Sequence, residues 1–225
     1  MKLKTIIYAL IIFIAVFLIY LTTLDKKIYY LNLSIDSETY TYDKLIKKDL
    51  EEKDKLERYI DGFLSSTDRV TDLTNYINEN KKITINDHEQ TIKNALIKAD
   101  LVTVFIGLND INYKIGYSSM NELYDYADSF LTDIYDLLEI LREYCKEDII
   151  IMGYYNIYGS YYDEYFKYIN KCVEEYAKEL DIKYVSTNDI YDENSSRDNI
   201  MLTNSEHKIL YEKVNKIIID NVLND

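Results

Sequence analysis

The chain has no proline and no tryptophan, and only five glycines, two cysteines and two histidines among 225 residues. Each scarcity removes a class of explanation. There is no Pro/Gly linker to divide the chain into separate domains. Cys145 and Cys172 cannot make a metal site, and their spacing matches no zinc pattern. Both fall on expected helices flanking one strand, which leaves a disulfide open. The segment after the first expected strand, Asp36-Ser37-Glu38, is acidic and lacks glycine, so it cannot cradle a phosphate. With only His88 and His207 available, the choice of an imidazole base is short. No metal ion or cofactor is implied.

Positive charge is outnumbered, with 26 Lys and Arg against 40 Asp and Glu. The net charge is −14, to which residues 1–27 contribute +3 (Lys2, Lys4, Lys26 and Lys27 against Asp25), so residues 28–225 carry −17. Such a surface repels phosphate backbones and argues against a nucleic-acid partner. What is abundant is tyrosine, at 25 residues. Together with the absent proline and tryptophan, this suggests an AT-rich coding sequence, in which a missing glycine is weak evidence about function.

Thr5 to Leu24 holds no charged residue and is almost wholly aliphatic or aromatic. About 20 such residues suffice to span a hydrocarbon core of ~30 Å. The expectation is an uncleaved membrane anchor over residues 1–27, with the bilayer as its partner and residues 28–225 outside the cytoplasm. A cleaved signal peptide is the competing reading, but Leu21-Thr22-Thr23-Leu24-Asp25 lacks the small residues of a cleavage site.

Within residues 28–225, short apolar runs alternate with long amphipathic ones. That pattern predicts a three-layer α/β/α sandwich around a parallel sheet of about five strands. The strand candidates are Ile28–Ile35, Leu101–Ile106, Ile149–Met152 and Ile182–Val185, with a weaker one near Tyr59–Leu64. Leu123, Ala127, Phe130, Leu131, Ile134, Leu137, Leu138 and Leu141 form one stripe of a helix of about seven turns. Leu210, Val214, Ile217 and Ile218 mark a final helix, and residues 40–58 look helical with Leu45, Leu50 and Leu56 inward. In such sheets ligands bind beyond the carboxyl ends of the strands.

Three segments stand at those ends: Asp36-Ser37-Glu38-Thr39, Gly107-Leu108-Asn109-Asp110 and Asp198-Asn199-Ile200-Met201-Leu202-Thr203. They resemble the signature blocks of the SGNH/GDSL hydrolases. Gly107-Leu108-Asn109-Asp110 resembles the block whose asparagine donates to the oxyanion of a tetrahedral intermediate. Asp36-Ser37-Glu38-Thr39 resembles Gly-Asp-Ser-x-Thr, with Ile35 in the glycine's place. Asp198-Asn199-Ile200-Met201-Leu202-Thr203 resembles Asp-x-x-His-Leu-Thr, with Met201 in the histidine's place and Glu206, further on, at a glycine position.

A softer match puts Thr67 near the position of the glycine that precedes an Asp-Leu pair, here Asp72-Leu73. An ordinary helix start explains that stretch equally well.

The resemblance implies Ser37 as nucleophile and Asp198 as the residue that orients a base. It also implies an oxyanion hole from Ser37, Thr67 and Asn109, supported by Asp36, Gly107 and Asp110. A second register of the first block puts Asp36 on the serine position and leaves no nucleophile. A thioether takes no proton at neutral pH, so Met201 removes the expected base. His207 is the substitute candidate, at a position the family fills with Tyr or His. His88 sits among polar residues, where a surface loop or helix cap accounts for it. The implied activity is ester hydrolysis, on an acyl ester or an O-acetyl carbohydrate, weakened or lost. The alternative is a non-catalytic relative binding a glycan, an acyl ligand or a protein, with Tyr154, Tyr155 and Tyr158 as candidates for a sugar-binding rim.

Overall fold

β1 (Ile28–Ser34) is buried at every position, as expected of a β-branched and aromatic run in the middle of a parallel sheet. A computed structural model describes residues 8, 13, 27–35, 40–85, 87–190 and 202–223. After β1 come α1 (Tyr42–Glu52), β2 (Leu56–Ile60), α2 (Val70–Asn78), β3 (Lys82–Ile85), β4 (His88–Thr91), α3 (Ile92–Lys98) and β5 (Leu101–Phe105). Then follow α4 (Leu108–Lys114), α5 (Met120–Tyr144), β6 (Asp148–Met152), a 3-10 turn (Ser160–Tyr162), α6 (Asp163–Glu179), β7 (Lys183–Val185) and α7 (Asn204–Asn221).

Five strands form one parallel sheet in the order β2-β1-β5-β6-β7. The chain reverses direction across the sheet between β1 and β5, which makes their carboxyl ends the switch point where such folds bind ligands. Ser34 pairs with Phe105 at that end. α1 packs against α7 on one side, and α2, α3, α4 and α6 pack on α5 on the other. The three-layer sandwich is as expected.

α5 buries the eight residues of the expected stripe, and its start is fixed by a reciprocal cap between Ser119 and Glu122. The stretch 40–58 differs from expectation, because its helix stops at Glu52 and Leu56 opens the edge strand β2. The turn between them passes through Asp54 in a left-handed conformation (φ 54°). Tyr42, Ile46 and Leu50 are buried there, whereas Leu45 is only half-buried. The antiparallel hairpin β3–β4 was not expected, and His88 opens its second strand, exposed.

A buried polar thread runs between β1, β5 and α1. Tyr42 Oη and Thr103 Oγ1 both donate to Asn32 Oδ1, at 3.0 and 2.9 Å, and Tyr30 Oη lies 2.9 Å from Thr103 Oγ1. These bonds satisfy groups that would otherwise be costly to bury. Cys145 and Cys172 are both free, so the disulfide left open by the sequence is not formed. Among the described residues no helix is long and apolar enough to cross a membrane. Apart from Tyr8 and Phe13, the run Thr5–Leu24 lies outside them.

Candidate active site

The corner after β5 begins at Gly107, whose φ of 106° lies in the left-handed region. A Cβ there would sit 2.6 Å from Tyr154 Oη and 3.0 Å from the Phe130 ring. Conformation and space both demand glycine at this position. Tyr154 Oη in turn donates to the Ile106 carbonyl at 3.0 Å, so the β6 end holds the β5 end in place.

Asn109 and Asp110 then grip the loop that precedes α2. Asn109 Nδ2 donates to the carbonyl oxygens of Ser66 and Asp68, both at 2.9 Å. Asp110 Oδ2 accepts from the N–H of Val70, the first residue of α2, at 3.2 Å. Asp110 is buried, and that burial pushes its carboxyl up to about 6 despite the Val70 N–H and the nearby Arg69. The loop is itself a tight turn: Asp68 N–H donates to the Ser65 carbonyl at 3.1 Å, and Ser65 N–H and Oγ donate to the Asp68 carboxylate. Thr67, at the turn's tip, is exposed.

Further bonds extend this corner along the rim. The Arg69 guanidinium lies 4.3 Å from the centre of the Tyr113 ring. Tyr158 Oη donates to Asn112 Oδ1 at 2.7 Å, joining α4 to the segment after β6. Asn170, buried on α6, accepts from Tyr154 N–H and donates to the Tyr154 carbonyl, both at 2.7 Å, and donates to Asn188 Oδ1 at 2.9 Å. None of these pairs is visible in sequence. The Ser65-x-x-Asp68 spacing was the one available signal, since it suits a side chain returning to its own turn.

For the first block, the structure places Ile35 but not the residues after it. Ile35 is buried, and its N–H donates to the Phe105 carbonyl at 3.2 Å, so the chain is still paired in the sheet at this residue. Asp36 and Ser37 lie outside the described residues, as do Asp198 and Met201. Beyond the last block, Thr203 caps α7 and Glu206 completes the reciprocal cap, accepting from Thr203 N–H at 2.7 Å and from its hydroxyl at 2.8 Å. Glu206 therefore has a structural task of its own, and Thr-x-x-Glu was legible as a capping box.

His207 has no exposed surface, and its ring lies against Tyr42 with centroids 6.5 Å apart and planes 21° apart. That places it between α7 and α1, near the N-terminus of each. Tyr154 and Tyr155 are buried and line no surface, which corrects the expectation of a sugar-binding rim built on them. Tyr158 is half-buried. Among the described residues no group of acidic, histidine or cysteine side chains could hold a metal ion.

A parallel five-stranded sandwich with a Gly-x-Asn-Asp corner at its switch point defines an SGNH-type hydrolase fold. The family model of the GDSL-like lipase/acylhydrolases matches residues 26–222, and the chain belongs to that family. No curated protein matches it. Among solved structures it is similar to Axe2, an acetylxylan esterase from Geobacillus stearothermophilus. There the TM-score is 0.63 at 18% identity, covering 84% of this chain and 92% of that one. Catalytic mutants of Axe2 alter a serine, an aspartate and a histidine. The acetyl xylan esterase AlAXEase is similar at TM-score 0.61 and 13% identity, covering 84% and 98% of the two chains.

Proposed function

We propose that this protein is an extracytoplasmic SGNH-type serine ester hydrolase, anchored by residues 1–27, acting weakly on an acyl ester or an O-acetyl carbohydrate. Ser37 is the nucleophile, Asp198 the residue that would orient a base, and Met201 the reason turnover is low. The observation that supports this best is the Gly107–Asp110 corner. It keeps a left-handed glycine, an amide and a carboxylate at the switch point, where a hydrolase needs fixed dipoles. A triad stripped of its base keeps at most about 10³–10⁴ of acceleration over water, the oxyanion hole's share of it only where the donors of that hole are free.

A second reading, a non-catalytic relative that binds a glycan, acyl ligand or protein, draws support from Asn109. Both hydrogens of its amide are already bound to backbone carbonyls.

The test compares hydrolysis of p-nitrophenyl acetate by the full-length protein, Ser37→Ala and Met201→His. Weak turnover abolished by Ser37→Ala, and raised about 10²-fold or more by Met201→His, fits the hydrolase. A rate indifferent to both substitutions removes Ser37 from catalysis and leaves the binding protein.

A further inference from the structure

Ser65 to Asp68 is a β-turn, closed by the bond from Asp68 N–H to the Ser65 carbonyl, with Ser66 and Thr67 as its central residues. Neither central residue has a positive φ, so the turn is of type I. The peptide between them is planar and trans, so its carbonyl and its N–H point in opposite directions. The Ser66 carbonyl points at Asn109 Nδ2. The Thr67 N–H therefore points away from Asn109, and these two groups cannot donate to the same anion in this arrangement. The Asn109 amide is also saturated, because its second hydrogen is held by the Asp68 carbonyl.

We propose that Thr67 holds the oxyanion hole shut: it keeps the turn in the type I form, which seats the Ser66 carbonyl on the Asn109 amide. This rests on the hydrolase reading above. Reversing the one peptide between Ser66 and Thr67 converts type I to type II and leaves the ends of the turn in place. The Ser66 carbonyl then leaves Asn109, one amide hydrogen is freed, and the residue-67 N–H swings toward it. Two donors face one point, which suits a tetrahedral oxyanion. Type II requires a positive φ at the second central residue, which glycine adopts freely and a β-branched residue resists. The left-handed penalty for a residue with a Cβ corresponds to a population ratio of roughly tenfold. Thr67 is exposed at the tip of the turn, so its exchange disturbs no core packing.

The experiment sets Thr67→Gly against Thr67→Ala in the full-length protein, each alone and combined with Met201→His. Crystal structures report the peptide, and p-nitrophenyl acetate hydrolysis reports the site. The expected result is that Thr67→Gly moves the Ser66 carbonyl out of hydrogen-bond range of Asn109 while Thr67→Ala does not. In the Met201→His background, Thr67→Gly should raise turnover roughly tenfold over Thr67→Ala. A Thr67→Gly structure with the Ser66 carbonyl still on Asn109, or alanine matching glycine where turnover is measurable, overturns the proposal. A reversed peptide without turnover in any background upholds the turn's role and instead sinks the hydrolase reading.

Discussion

Asn109 Nδ2 and the Ser66 carbonyl oxygen lie 2.9 Å apart, and this bond ties the end of β5 to the turn ahead of α2. With the matching bond to Asp68 it makes one side chain responsible for the shape of a neighbouring loop.

Asn109→Asp should therefore destabilise the fold out of proportion to its size. A carboxylate would face two carbonyl oxygens with no hydrogen to offer, leaving acceptors unpaired and adding repulsion. The cost of such losses is about 1–3 kcal/mol for a partly buried group. Urea denaturation at pH 7 checks this. An Asn109→Asp protein as stable as wild type would show that the clamp carries no weight.

Gly107→Ala combines two penalties that a double-mutant cycle separates. The left-handed backbone costs about 1–2 kcal/mol with any Cβ present. The approach of that Cβ to Tyr154 Oη, at 2.6 Å, adds an overpacking cost of about 1–3 kcal/mol. Tyr154→Phe alone loses the bond to the Ile106 carbonyl, about 1 kcal/mol. In the double variant the clash with the hydroxyl is gone, so the summed single-variant losses should exceed the double loss by about 1 kcal/mol or more. Strict additivity in urea denaturation would mean that the Tyr154 hydroxyl has no part in making Gly107 necessary, leaving the backbone conformation and the Phe130 ring.

The elements that could be read from sequence were those whose burial is uniform or strictly periodic. β1 and β5 are buried at every residue, and α5 repeats its apolar positions every three or four residues for its whole length. β2 was harder, because Leu56–Ile60 is an edge strand with partly exposed positions that looked like a continuation of α1. The hairpin β3–β4 is short, polar and largely exposed, and so carries no burial signal. In the site, Gly107 could be recognised because Gly107-Leu108-Asn109-Asp110 resembles a signature block of the family; alone it would read as an ordinary strand-to-loop turn. The saturation of Asn109 could not, since it depends on how one peptide plane is turned. Tyr154 and Tyr155 misled because an aromatic ring looks the same in sequence whether it lines a rim or fills a core.

The two free thiols should differ sharply in reactivity. Cys145 is fully buried and Cys172 is half-buried on α6. Burial pushes both thiols up from their ordinary range, which lowers the thiolate fraction at neutral pH. Disulfide-exchange labelling of the native protein should modify Cys172 slowly and Cys145 only on unfolding, with two thiols counted in denaturant without reductant. A count of zero under those conditions would mean the pair is oxidised in solution.

Asp110 gives stability a pH dependence of a definite sign. Its folded-state value of about 6 lies above the ordinary aspartate value near 4, and the first cause is burial. The folded protein therefore binds this proton more tightly than the unfolded chain does. The contribution of Asp110 to stability is full below about pH 4 and falls as pH rises to about 6. It then stays at its reduced level, a loss on the order of 2–3 kcal/mol. Asp110→Asn removes the titration while keeping an oxygen that can accept from Val70 N–H. The variant should thus gain on wild type as pH rises from 4 to 7, most of the change falling between pH 4 and 6. The difference between the two urea-unfolding curves isolates this group from the other carboxylates, which titrate in both proteins. A difference that is flat with pH, or that shrinks as pH rises, would show that the Asp110 carboxylate is better stabilised in the folded protein than its buried position implies.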